Sequence, residues 1–122
     1  MAITKSYKDL IVWQKGVELS VLVYEVTEKF PNEERYALTS QMRRAVVSIP
    51  SNIAEGRCRR TRKDFCQFLH IALGSAGELE TQIEIAKRIS KTANLSYTKL
   101  ESLLIEVLKM LNGLISKLEA ES

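Results

Sequence analysis

An all-α fold is what this 122-residue chain predicts: one domain over residues 1–122, built as an antiparallel up-down-up-down four-helix bundle. Three observations lead there. Apolar residues recur in steps of three and four along four long stretches, the spacing that lines one face of a helix. Glycine (5) and proline (2) are too scarce to chop those stretches into short pieces. The breaks that remain are a few residues long, and short connections join antiparallel neighbours. At 45% hydrophobic and 27% charged, the composition suits a packed core rather than a disordered chain.

The first helix is expected over residues 7–29, with Pro31 as its stop. It carries two apolar stripes. One is Leu10, Trp13, Val17, Val21 and Tyr24. The other is Val12, Gly16, Leu19, Val23, Val26 and Phe30. They are offset by two residues, about 200° around the helix. One stripe can face the subunit's own core, and the other needs cover from outside. The stripe of Val12, Gly16, Leu19, Val23 and Val26 is assigned as the surface that joins copies of the chain.

The second helix is expected over residues 33–56. Asn32 is a good cap, Glu33 and Glu34 suit its positive first turn, and Gly56 is its stop. Its stripe is Leu38, Met42, Ala45, Ile49 and Ile53. Pro50 removes one backbone bond within it, which predicts a kink near Pro50 or a break into two short helices.

The third helix, residues 62–91, opens with Thr61-Arg62-Lys63-Asp64, a capping box with Asp in place of Glu. Phe65, Leu69, Ala72, Ala76, Leu79, Ile83 and Ala86 form its stripe. The run Gly74-Ser75-Ala76-Gly77 costs helix stability, about 1 kcal/mol per glycine, so another helix is expected to approach closely there. Gly74 is accordingly added to the surface between copies. The fourth helix, residues 97–119, has Ser96 as cap and a stripe of Leu100, Leu104, Val107, Leu111, Leu114 and Leu118.

A hairpin of helices two and three about residue 60 sets Ser48 opposite Ser75 and Arg44 near Glu78. Arg44 and Glu78 are expected as a partly buried structural pair that fixes register. Glu78, Glu80 and Glu84 lack the Glu-x-x-His partners of di-iron bundles, and His70 is the only histidine. No metal, cofactor or catalytic residue is therefore expected. Cys58 and Cys66 form neither a disulfide framework nor a metal quartet. No membrane span or signal-like run stands out, so a cytoplasmic setting is expected.

Charge is the feature that points to function. Residues 57–63 hold five cations, Arg57, Arg59, Arg60, Arg62 and Lys63, and no acid. The chain as a whole is +3; outside this segment 13 basic residues face 15 acidic ones. A phosphate backbone responds to such local density. Lys5 and Lys8 are expected at the same end of the bundle, because the chain enters there. Aromatic interleaving is weak, so binding would be led by phosphates rather than by base stacking.

Several strings resemble one known family: residues 7–14 (YKDLIVWQ), Phe30-Pro31, residues 41–56 (QMRRAVVSIPSNIAEG), residues 64–69 (DFCQFL) and residues 71–80 (IALGSAGELE). The chain resembles the bacterial four-helix bundle family named for proteins encoded in 23S ribosomal RNA intervening sequences, over nearly its whole length. It is also similar in design to the accessory protein of diversity-generating retroelements, a basic pentameric bundle. The resemblance implies a ring of five copies and brings no catalytic residue. The expected function is a non-enzymatic homo-oligomer that binds RNA or DNA through the basic loop. The alternative is a scaffold for another protein, with the loop merely solvated.

Overall fold

The structure, a computed structural model, describes residues 6–121. Ser6 caps a short 3-10 turn, Tyr7–Asp9, by accepting from the Lys8 N–H at 3.1 Å. Leu10 is then extended, so the first α-helix, α1, begins only at Ile11 and runs Ile11–Glu28. The expected start at residue 7 thus belongs to a separate turn, tied back by the Gln14 amide donating to the Lys8 carbonyl at 2.9 Å. Pro31, extended, follows the end of α1, as its fixed φ requires.

The second helix starts later than its cap-like residues suggested. Asn32–Glu34 makes a single 3-10 turn, and α2 spans Leu38–Arg57. The Glu34 carboxylate accepts from the Leu38 N–H at 3.3 Å, serving the new start. α2 continues through Pro50 as one helix, not two. Gly56 lies inside it without a positive φ, so it is no left-handed stop. A Cβ there would stand 2.7 Å from the Phe68 Cβ, so close helix approach is what requires glycine.

α3 covers Arg62–Arg88, and Thr61 Oγ1 accepts from the Asp64 N–H at 3.1 Å, one half of the expected capping box. The helix stops short of residue 91 because Ile89 turns extended. Below it, Thr92 is fully buried and donates to the Ala86 carbonyl, while the Tyr97 hydroxyl donates to the Thr92 carbonyl at 2.8 Å. This polar knot carries the chain into α4, Thr98–Ala120. Burial holds the Tyr97 phenol above its ordinary pKa.

Each helix packs on the next, and α4 returns to α1, whereas among the described residues the backbones of the diagonal pairs α1–α3 and α2–α4 stand further apart. The four therefore stand at the corners of a square. Contacts set the directions. Gly16 lies under Pro50, and Thr27 accepts from Arg43 Nε at 2.9 Å, so rising numbers on α1 meet falling numbers on α2. Ser48 meets Ser75 and Gly56 meets Phe68; Arg62 meets Glu121 and Lys87 meets Glu101. Successive helices run in opposite directions.

The core follows the α2, α3 and α4 stripes. Met42, Ile49, Ile53, Leu69, Ala72, Leu79, Val107 and Leu111 are fully buried. On α1 the assignment is reversed. Val12, Gly16, Leu19 and Val23 are buried inside the subunit, and Val26 is half-buried. They form the subunit's own core and are not available to a second copy. Val17, Val21 and Tyr24 of the other stripe are exposed instead. Periodicity reveals two stripes but not which faces inward. The choice falls to packing, because Gly16 lets the Pro50 ring approach within contact distance of its backbone.

Candidate nucleic-acid interface

The α2–α3 connection is the short loop 58–61, flanked by Arg57 at the end of α2 and by Arg62 and Lys63 in the first turn of α3. The turn Tyr7–Asp9 packs against α2, and the end of α4 reaches Arg62. One end of the bundle thus gathers the basic segment with Lys8. Lys5 lies outside the described residues.

The same end also brings acids that the linear segment lacks. Arg59 pairs with Glu55 at 2.9 Å and lies over the Phe68 ring at 4.9 Å. Arg62 donates to the Glu121 carbonyl at 2.8 Å and approaches its carboxylate at 3.5 Å. His70 meets Glu119 at 3.1 Å. Among the described residues no acid pairs with Arg60 or Lys63, both exposed, or with Lys8. Exposed ion pairs contribute about 0–1 kcal/mol, so a phosphate can displace Glu55 or Glu121 at small cost. The segment's positive field is real but less concentrated than its sequence suggests.

Cys58 is exposed and Cys66 buried, both as free thiols. Burial, then the nearby Glu119 charge, raises the Cys66 pKa, against a lowering by Arg62; Cys66 is a packing residue. Among the described residues no group of three or more His, Cys, Asp or Glu side chains is placed to hold a metal ion.

The expected Arg44–Glu78 pair does not form. Both side chains are exposed, and no ion pair joins them among the described residues. The α2–α3 register is held at Ser48–Ser75 instead, with Asn52 donating to the Ser48 hydroxyl at 2.9 Å. Gly74 and Gly77 have open space where a Cβ would stand, so no helix of this subunit approaches them.

A second cationic cluster was not apparent in the sequence. Arg35, Arg43 and Arg44, with Tyr24, Tyr36 and Val47, line a shallow groove of about 470 Å³ between α1 and α2. Arg43 lies over the Tyr24 ring at 4.4 Å and pairs with Glu28 at 3.3 Å. Arg35 lies over the Tyr36 ring at 5.3 Å. Tyr36 is 86% exposed. The arginine doublet was legible; its neighbours come from α1 and from the turn before α2, which spacing alone does not join.

Comparison with known proteins gives two findings. The family model described as 23S rRNA-intervening sequence protein matches residues 8–113. The crystal structure of a protein of unknown function from the S23 ribosomal protein family of Bacteroides thetaiotaomicron is similar. It has a TM-score of 0.74 and 28% sequence identity, over 86% of this chain and 98% of that one. No curated protein matches.

Proposed function

The chain belongs to the 23S rRNA-intervening sequence protein family, and from that premise we propose that it is a non-enzymatic, homo-oligomeric bundle that binds the phosphate backbone of RNA or DNA at its loop end. One observation carries the reading: Arg60, Lys63 and Lys8 stand at the same end with no acidic partner among the described residues. In a ring turning about an axis parallel to the helices, every copy would present this end on one rim, multiplying the potential. The exposed band of Val17, Val21 and Tyr24 supports association of copies. Among the described residues no helix is long and apolar enough to cross a membrane. A cytoplasmic setting, where RNA is abundant, belongs to the same proposal.

The test is affinity for a structured RNA, measured by anisotropy across a range of salt. For the wild type, the logarithm of affinity should fall linearly with that of salt concentration. Arg60→Ala/Lys63→Ala removes two phosphate partners and should flatten that slope by about 1.5. Unchanged affinity and slope would reject the loop as the binding surface. The solvated-loop alternative would then stand, with another protein as partner.

A further inference from the structure

Packing of α1 on α2 assembles a surface in which aromatic and cationic side chains interleave. It is the shallow α1–α2 groove, where Tyr24 and Tyr36 stand among Arg35, Arg43 and Arg44. Each tyrosine has a guanidinium over its ring: Arg43 over Tyr24 at 4.4 Å and Arg35 over Tyr36 at 5.3 Å. Tyr36, in the turn before α2, still keeps 86% of its surface in water and so adds little to the core. A flat π-face held in water beside cations is what a stacking platform for a base requires, with the cations left to meet the phosphates.

Charge favours an anion on the α2 side of this groove. Among the described residues no acid pairs with Arg35 or Arg44, while Arg43 is tempered by Glu28 at 3.3 Å. Glu34, beside Arg35 in sequence, accepts from the Leu38 N–H instead. Glu25 and Glu28 line the neighbouring depression on α1, with Tyr24 shared between the two. A phosphate is therefore repelled from α1 and drawn toward Arg35 and Arg44. Ser40, one turn before Arg44 on the same face of α2, adds a hydroxyl to the lining. The groove volume of about 470 Å³ falls within the range of small-ligand sites, about 300–1,000 Å³. Arg44 stands roughly 20 Å along α2 from Arg57, so this surface is separate from the loop end. A duplex cannot use it fully, because paired and stacked bases offer no face to Tyr36.

We infer that the α1–α2 groove is a second nucleic-acid site, for an unpaired nucleotide of a single strand: the base stacks on the Tyr36 ring, and Arg44, with Arg35 and Ser40, takes the adjoining phosphate. The inference rests on the nucleic-acid reading above and deepens it with other residues and another chemistry. The loop end takes the phosphates of any strand, whereas the groove takes only strands with a free base.

The experiment is anisotropy on the full chain with two labelled probes, a short oligouridylate and a blunt RNA duplex, with circular dichroism to confirm helicity. Tyr36→Ala should weaken oligouridylate binding about 5- to 150-fold and leave the duplex unchanged. Tyr36→Phe, which keeps the ring, should bind like the wild type. Arg44→Gln should flatten the single-strand salt slope by about 0.7. Tyr36 and Arg44 are exposed, so folding should survive. Arg60→Ala/Lys63→Ala should weaken both probes and leave the Tyr36→Ala factor as it was. Oligouridylate affinity that is absent in the wild type, or unmoved by Tyr36→Ala and Arg44→Gln, would overturn the groove; a duplex still weakened by Arg60→Ala/Lys63→Ala would leave the loop reading standing. A loss in Tyr36→Ala with no effect of the loop variant would support the groove and overturn the loop. Equal losses for strand and duplex in Tyr36→Ala, or Tyr36→Phe as weak as Tyr36→Ala, would overturn base stacking. A tyrosine-phosphorylated peptide that displaces oligouridylate and binds more tightly would overturn the nucleotide assignment in favour of a protein partner.

Discussion

The hydroxyls of Ser48 and Ser75 lie 2.8 Å apart between α2 and α3 and lock the register of the two most extensively packed helices. Asn52, one turn along α2, donates to Ser48 Oγ and to the Ser48 carbonyl. Three small polar groups thus satisfy one another where the helices come close. Ser48→Ala and Ser75→Ala should each cost about 0.5–1.5 kcal/mol. The double variant should cost less than the sum, because the second loss finds the bond already gone. Urea denaturation of the four proteins reads this coupling; strict additivity would show that the pair is incidental.

Two glycines inside helices should respond with opposite signs. Gly56→Ala drives a Cβ to 2.7 Å from Phe68 Cβ and 3.0 Å from Phe65 Cδ1. Overpacking of this kind costs about 1–3 kcal/mol, so the thermal midpoint should fall. Gly113→Ala meets nothing within 4 Å in the middle of α4 and should raise stability by about 0.5–1 kcal/mol. Equal effects at both sites would contradict the close α2–α3 contact.

The two faces of α1 give the sharpest contrast. Leu19 and Val23 are fully buried within the subunit, whereas Val21, between them in sequence, is 53% exposed. Leu19→Ala should cost about 2–5 kcal/mol. Val23→Asp should abolish the helical signal, since it buries an unpaired charge. Val21→Asp should leave that signal intact. Helicity retained in Val23→Asp would return that stripe to the surface.

Alkaline titration should show Tyr97 ionising late. Tyr97 is buried and bonded to Thr92, and burial raises its pKa above the usual value near 10. A raised folded-state pKa means the stability it lends is whole below the unfolded value and lost as pH climbs through the folded one. Absorbance near 295 nm should therefore show one late-ionising phenol, coupled to unfolding. Tyr97→Phe should remove the late step. Its cost should be about 1 kcal/mol, because the Thr92 carbonyl loses its buried donor.

Much of the fold was legible because helices obey local rules. Thr61 caps α3, the stripes of α2 and α4 run into the core, and the Ser48–Ser75 register follows from a short hairpin. Boundaries were less legible where capping is shared. Asn32 initiates only a 3-10 turn, and α2 waits for Leu38, whose N–H finds the Glu34 carboxylate.

The candidate site was half legible. The basic segment 57–63 is continuous in the chain, so its charge could be counted directly. The acids that temper it, Glu55 against Arg59 and Glu121 against Arg62, lie one helical turn back or at the far end of the chain. The Glu55–Arg59 pair is local, four residues apart, and was open to reading from spacing; the nearness of Glu121 to Arg62 depends on how the helices pack.

What the sequence by itself determined is the set of helices and the presence of two apolar stripes on the first, since both are written in local spacing. Only the tertiary structure decided which stripe the subunit keeps. Gly16 admits Pro50, which turns Leu19 and Val23 inward and leaves Val17, Val21 and Tyr24 in water. The physical reason is that spacing records the angle between residues on one helix, whereas inward and outward are defined only by the neighbours that pack against it.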